Sequence, residues 1–439
     1  MEQVTLGLIG GGTVGGGVFQ ALQRNGALLS SRTGSTFHVA KVVVRTLEKP
    51  RPVPIPARLL STNWRSVVED PTISLVVELM GGTTTARQVI RRALELGKPV
   101  VTANKALLSA HGEELFALAL KHRTNLYYEA SVAGGIPIIK VLRESLIGNR
   151  ITHLYGILNG TCNYILTRMK LEGLEFQDVL DEAQRLGYAE ADPSLDIDGH
   201  DAAHKAGILA SLAHGFWIRP EQIATSGIRG ITRMDIQFAG QLGYTIKLLA
   251  KVKQIEPGAG AKARCRVQVS VSPTLIPNDH VLAGVNHVFN AVFVRGDVAG
   301  DTLFYGRGAG QDATASAVLS DLADAAVDLR NGLQSRIPPF VSHERNGGVL
   351  PLAQAVSPYY VRLSVIDKPG TLAKIAALLG RAKIGISSVI QPEGHVGESV
   401  PLILMIHDAP HAAMARALAQ IGRLSVVRAP TVMIPVEHF

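Results

Sequence analysis

The chain has 439 residues, of which 46% are hydrophobic and 18% charged, and it carries a net charge of +8. Such a length exceeds one core and implies roughly two to four domains, and the composition is that of a folded, soluble protein. Two cysteines, Cys162 and Cys265, exclude a disulfide framework and a cysteine metal cluster. The basic residues are scattered. Their densest groups, Arg87/Arg91/Arg92 and Lys49/Arg51, are small, so anionic metabolites or cofactors fit better than nucleic acid. The opening MEQVTLGLIGGG lacks the form of a signal peptide, and no apolar run reaches ~18 residues. No membrane partner is expected, and the cytoplasm is the expected location.

In chain order, residues 4–9 predict a buried strand, and GGGTVGGGVFQALQRNG a glycine-rich turn and helix. Strands follow at 37–45, 75–82, 99–105 and 125–131, with helices from about Thr85 to Leu96 and from about Ser109 to Lys121. Strands alternating with helices indicate an α/β fold with a doubly wound parallel sheet over residues 1–134. From residue 135 to 330 strands such as HLYGIL, ARCRVQVSV and HVFNAVFVRG sit among helices, which predicts a second, mixed sheet. A glycine-led helix at 308–330 closes that region. Residues 331–357, rich in Gly, Pro and polar residues, read as a linker. Residues 358–439 read strand, tight turn at Lys368-Pro369-Gly370, helix, strand, strand, helix, strand, which is the ferredoxin-like order.

Gly10-Gly11-Gly12-Thr13-Val14-Gly15 fits G-x-G-x-x-G between a strand and a helix. There Gly10, Gly12 and Gly15 permit a tight turn and close backbone approach. The helix start at Thr13 and Val14 supplies donors for a pyrophosphate. The second strand is expected to end at Arg45, which with Lys49 and Arg51 suits the 2′-phosphate of NADP(H). Glu48 leaves NAD(H) use open. Lys105 is expected to end the strand VVTANK and so to face the ligand crevice.

The segment 187–205, GYAEADPSLDIDGHDAAHK, gathers Glu190, Asp192, Asp196, Asp198 and Asp201 ahead of Lys205. Its first part reads as a loop, and from about Asp201 it reads as a helix. Asp201 and Lys205 then share a helix face, where the carboxylate holds an ammonium able to protonate a carbonyl oxygen. His200 and His204, also four apart, are expected to be exposed. The competing reading of the whole segment is an acidic surface loop followed by an ordinary ion pair.

Taken together, GGGTVGGGV, TANKALL, YEASVAGGIPII, LNGTCNYILTRM, GYAEADPSLDIDGHDAAHK and GRGAGQDATASAVLSDL resemble homoserine dehydrogenase over about residues 4–330. The segment around IDKPGTLAKIAALL resembles an ACT domain. The resemblance implies a Rossmann domain, a catalytic and dimerisation domain and an ACT regulatory domain. It implies reduction of L-aspartate 4-semialdehyde to L-homoserine with NADPH or NADH, L-threonine as effector, and a homodimer or homotetramer.

By the same resemblance Lys205 would be the proton donor and Asp201 its holder, with Lys105 beside the cofactor and a rival for the acid role. Glu190 would bind the substrate ammonium, and Asp196, Asn159, Gly160 and Thr161 would shape the pocket. Gly306, within Gly306-Arg307-Gly308-Ala309-Gly310, would touch the cofactor. The carbonyls of Glu129, Val132, Gly134 and Ile136 would ligate a structural Na+, unless the loop is a plain glycine turn. Cys162 is expected to be a buried structural cysteine. Two rivals stay open: a phosphorylating semialdehyde dehydrogenase, which needs a cysteine nucleophile with a base, and a non-catalytic amino-acid sensor.

Overall fold

A computed structural model describes residues 1–256, 265–392 and 398–439 of the chain. The N-terminal sheet has six parallel strands: β1 (Glu2–Ile9), β2 (Ser35–Val43), β3 (Leu60–Ser61), β4 (Leu75–Glu78), β5 (Val100–Thr102) and β6 (Leu126–Tyr127). Their order is β3-β2-β1-β4-β5-β6. The order turns back between β1 and β4, and in such sheets ligands bind at the carboxyl ends of the strands around that point. Both faces are covered, so the strands are nearly continuous apolar runs. Leu6, Leu8, Leu75 and Val77 pack on one side, and Ile9, Val76 and Val100 on the other.

Helix α1 (Thr13–Thr33) follows β1, and α2 (Lys105–Lys121) follows β5. The mixed sheet comprises β7 (Ile151–Ile157), β8 (Tyr244–Ile255), β9 (Arg266–Pro277), β10 (Phe289–Gly296) and β11 (Gly300–Arg307). These run in the order β11-β10-β7-β8-β9. Helices α3 (Gly160–Glu172) and α4 (His200–His214) belong to the same buried cluster as Leu154, Ala250, Val252 and Val269. Helix α5 (Gln311–Arg330) returns to the first sheet and buries Ala315, Val318 and Leu322 against Leu6 and Leu8. The Tyr127 hydroxyl donates to Asp328 at 2.7 Å and fixes that return.

The C-terminal module has β12 (Val356–Ile366), α6 (Thr371–Arg381), β13 (Ile386–Ile390), β14 (Ser399–Pro410), α7 (His411–Ile421) and β15 (Val432–Pro435). Its antiparallel sheet runs β13-β14-β12-β15. Arg362 on β12 docks it on the helix Arg233–Gln241 through two hydrogen bonds to the buried Asp235 (2.7 and 3.1 Å), joined by the Tyr360 hydroxyl at 3.0 Å.

The structure departs from the sequence reading in several places. The strand expected at 75–82 stops at Glu78, because Gly81 and Gly82 adopt left-handed φ of 72° and 73°. The strand expected at 99–105 stops at Thr102, and Asn104 caps α2 by accepting from the Leu107 N–H at 3.1 Å. That cap draws the helix start from Ser109 back to Lys105. The strand expected at 125–131 ends at Tyr127 and continues as a 3-10 turn over Glu129–Ser131. The expected linker is tied down within its length. The Tyr128 hydroxyl donates to the Pro339 carbonyl at 2.6 Å, Phe340 packs on Phe116 and Trp217, and Gly348–Val349 pairs with β9. No helix is long and apolar enough to cross a membrane among the described residues. Arg87 and Arg91 pair with Glu114, and Arg92 with Glu69, so this basic group is charge-compensated.

Candidate active site

Helix α4 begins after Gly199, whose φ of 88° sets the entry of the chain. Asp201 lies in its first turn, where the helix dipole favours a carboxylate. Lys205 stands one turn on, and both side chains are buried, at 3% and 6% exposure. The Lys205 ammonium donates to Asp201 Oδ2 and to the Leu158 carbonyl, each at 2.7 Å. The other Asp201 oxygen, Oδ1, receives the ammonium of Lys105 at 2.6 Å. One carboxylate therefore clamps two lysines from helices far apart in sequence.

Asn159 completes the arrangement. Its side-chain oxygen caps α3 by accepting from the Cys162 N–H at 2.8 Å. Its amide nitrogen donates to Asp196 Oδ1 at 2.7 Å and to Asp201 Oδ2 at 2.9 Å. The Thr161 hydroxyl donates to the Tyr188 carbonyl at 2.7 Å and lies 3.3 Å from Asp196 Oδ2. At Gly160 an added Cβ would stand 3.0 Å from the Val288 carbonyl. These groups line a cavity of about 470 Å³, together with the exposed Glu190 and Arg307.

Electrostatics separates the two lysines. Burial pushes the Lys205 ammonium below its usual range, with Asp201 opposing the shift. Burial also acts downward on Lys105, which is about a third exposed, but Asp201, joined by Asp196 and Glu190, opposes it and the net shift is upward. Burial raises the Asp201 carboxyl, yet Lys205 and Lys105 together hold it well below the usual carboxylate range. Burial and then Asp201 raise Asp196. Asp201 thus stays ionised, and Lys205 is the more readily donating acid.

The glycine turn lies at the carboxyl end of β1. Gly10 has φ of 116°, and a Cβ there would collide with the Leu79 carbonyl; one at Gly15 would collide with the Gly10 carbonyl. At Gly12 the space is open, and no side chain caps the first turn of α1 at Thr13 and Val14. Exposed backbone donors at a helix start in a cradle without side chains fit a dinucleotide pyrophosphate.

Several site expectations need correction. Lys105 opens a helix and does not end a strand, and it meets Asp201. β2 ends at Val43, so Arg45 lies beyond the strand in an exposed turn. Arg51 there donates to the Thr46 and Leu47 carbonyls. Gly306 pairs with Asn290 inside β11, while Arg307 at the end of that strand and Gly308 to Gly310 beyond it line the cavity. His200 is exposed, whereas His204 is half-buried with Nδ1 lacking a partner among the described residues, because it sits on the inward side of α4. Cys162, by contrast, is fully buried as expected; burial raises its thiol, and its Sγ lies 3.2 Å from the Asp196 carbonyl, so no activated nucleophile stands there.

The sequence reading missed Glu78. Its buried carboxylate ends β4, accepts from the Thr102 hydroxyl at 2.7 Å and from the Met80 and Gly81 N–H groups, and so fixes the 79–82 turn. Asn104 holds the same turn from the other side through the Gly82 carbonyl at 2.7 Å. The only signal was a glutamate interrupting the apolar run LVVELM. In the loop 129–136, the Glu129 carboxylate accepts from the Ile139 and Lys140 N–H groups, and burial pushes it up to about 7. Ala133 and Gly134 take left-handed φ of 55° and 48°. Among the described residues the carbonyls of Val132 and Gly134, both in buried residues, accept no hydrogen bond, while that of Ile136 accepts from Ile138 and that of Glu129 lies within the 3-10 turn.

Residues 10–129 match the family model for the NAD binding domain of homoserine dehydrogenase, and residues 137–323 match that for homoserine dehydrogenase. The chain is 42% identical to the homoserine dehydrogenase of Pseudomonas aeruginosa over 100% of both sequences. A crystal structure of a homoserine dehydrogenase from Thiobacillus denitrificans is 42% identical, with a TM-score of 0.91 over 100% of this chain and 99% of that one. A hyperthermophilic archaeal homoserine dehydrogenase solved in complex with NADPH is 27% identical, with a TM-score of 0.61 over 74% of this chain and 98% of that one. The chain belongs to the homoserine dehydrogenase family of NAD(P)-dependent oxidoreductases.

Proposed function

We propose that the protein reduces L-aspartate 4-semialdehyde to L-homoserine in threonine and methionine biosynthesis, with NADPH preferred over NADH. The observation that carries this reading is the Lys105–Asp201–Lys205 clamp beside the cavity that also holds Asn159, Thr161 and Asp196. The turn at Gly10, Gly12, Thr13, Val14 and Gly15 would hold the dinucleotide, which when bound would supply the hydride. An ammonium has three N–H donors. Lys205 spends two on Asp201 and Leu158, leaving the third for the aldehyde oxygen as negative charge develops there. Asp201 holds Lys205 in place and keeps it charged. Glu190 receives the substrate ammonium, Arg307 is the cation available to its carboxylate, and Lys105 stands beside the reacting carbon. Exposed Arg45, with Lys49 nearby, supports the choice of NADPH, as does the archaeal relative solved with it.

The division we favour is a cofactor domain over 1–134, a catalytic and dimerisation domain over 135–330, a connecting segment over 331–357, and an ACT regulatory domain over 358–439 that responds to L-threonine. Assembly is a homodimer or homotetramer. A structural Na+ suits the carbonyls of Glu129, Val132, Gly134 and Ile136. Those of Val132 and Gly134 belong to buried residues and have no donor among the described residues, and a hard cation prefers oxygen ligands. The test is spectrophotometric: L-homoserine oxidation with NADP and with NAD, with and without L-threonine. Reduction of NADP faster than NAD, inhibited by threonine, is the expected result. Reduction of neither cofactor would overturn the reading.

A further inference from the structure

A second cavity, of about 320 Å³, lies where the mixed sheet meets the C-terminal module. Thr225, Lys251 and Ser270 come from the sheet side, Leu352 from the connecting segment, and His411 and Met433 from the module. Three lysines on β8 frame the question of what it holds. Lys247 is satisfied by Asn163 Oδ1 at 3.0 Å and by the Val285 carbonyl. Lys253 is neutralised by Glu437 at 2.6 Å, and Glu437 also accepts from the Tyr155 hydroxyl at 3.1 Å. Lys251, only 9% exposed, lines the cavity and makes no hydrogen bond or salt bridge among the described residues. Its ammonium is left facing the cavity, which Lys253 and Glu437 also line, and an anion there would give it a partner.

We propose that this cavity binds a small carboxylate-bearing metabolite, its carboxylate paired with Lys251 and its carbon chain resting on Leu352 and Met433. The hydroxyls of Ser270 and Thr225 supply further donors, and the apolar floor favours a carbon skeleton over a bare inorganic anion. Because its walls come from both bodies, an occupant ties the module to the catalytic sheet. The inference depends neither on the reaction proposed above nor on threonine.

The sign of the pH dependence follows from the groups facing Lys251. Burial pushes Lys251 down to about 8, Glu437 opposes this and Lys253 adds to it. His411 is lowered from its usual value by burial and by Lys251, so it is neutral above pH 7. The anion requires the charged ammonium, so affinity holds below pH 8 and falls above it. At pH 9 about a tenth of Lys251 is charged and the apparent Kd rises roughly tenfold.

Calorimetric titration of the full-length protein with succinate at pH 7 tests this, with inorganic phosphate as a second probe. Wild type binds succinate, and Lys251→Met weakens it at least tenfold while retaining homoserine oxidation as a check on folding. If the variant fails to fold, the wild-type titrations at pH 7 and pH 9 decide alone. No succinate binding by wild type, equal affinity in Lys251→Met, affinity unchanged between the two pH values, or binding of phosphate in place of succinate would each overturn the proposal.

Discussion

Replacing Asp201 by Asn removes one charge and keeps the shape. In the wild type the carboxylate faces two ammonium groups, at 2.6 Å from Lys105 and 2.7 Å from Lys205. At 2.7 Å and an effective dielectric of ~20, a single pair is worth about 6 kcal/mol before desolvation. Breaking a buried pair by removing one partner costs about 3–5 kcal/mol net. The exposed part of Lys105 rehydrates and Asn keeps some hydrogen bonds, so we expect about 2–3 kcal/mol, or a Tm lower by about 5–10 °C. The larger effect is catalytic. Burial already lowers Lys205, and Asp201 is what opposes it. Without Asp201 the lysine pKa falls further, so less of Lys205 carries the proton on which general acid catalysis worth about 10²–10⁴-fold depends. Semialdehyde reduction needs the protonated form, present below the lysine pKa and lost as pH rises through it. The basic limb of the kcat–pH profile therefore moves to lower pH in Asp201→Asn. Steady-state reduction across pH 6–10, beside a thermal melt, reads both. An unchanged basic limb with kcat within threefold of wild type would refute the reasoning.

Three further outcomes follow from the geometry. Gly10→Ala places a side chain at φ of 116° against the Leu79 carbonyl, so NADPH affinity, read by nucleotide fluorescence, falls at least tenfold. Glu190→Gln leaves kcat within a fewfold and raises KM about tenfold, since one charge-assisted contact to the substrate ammonium is worth about 1.5 kcal/mol or more; a kcat loss with constant KM would count against that role. Burial holds the Glu129 carboxyl up at about 7 against an ordinary 4.5, so the folded state binds more protons than the unfolded state between those values. The contribution of Glu129 to stability therefore falls as pH rises from 4.5 to 7. Glu129→Gln removes that slope in thermal melts and costs about 1–3 kcal/mol through a lost acceptor for Ile139 or Lys140.

What was legible in the sequence were features of short range. The glycine turn after β1 and the Asp201/Lys205 pair each lie within a few residues, where local geometry dictates who meets whom. The Lys105–Asp201 contact joins residues 96 positions apart and follows only from packing α2 near α4. Strand β8 escaped because Lys247, Lys251 and Lys253 break its apolar pattern, although two of these lysines are buried. Glu78 was hidden for the reverse reason, as one acid in an apolar strand whose side-chain partner, Thr102, lies on β5 and whose other partners are backbone N–H groups of the turn that follows. The connecting segment carries no periodicity, and what pins it are scattered long-range contacts: Phe340 on Phe116, the Pro339 carbonyl with Tyr128, Arg336 with Asp324 and Asp328, and the Gly348–Val349 pairing with β9.

The most direct test of the account concerns which lysine delivers the proton. L-Homoserine formed from L-aspartate 4-semialdehyde and NADPH is measured for wild type, Lys205→Met and Lys105→Met, with NADPH binding followed in parallel. The account predicts product from wild type and a kcat loss of about 10²-fold or more in Lys205→Met with cofactor binding retained, and a smaller loss in Lys105→Met. Lys205→Met turning over near the wild-type rate, or wild type forming no homoserine, would contradict it.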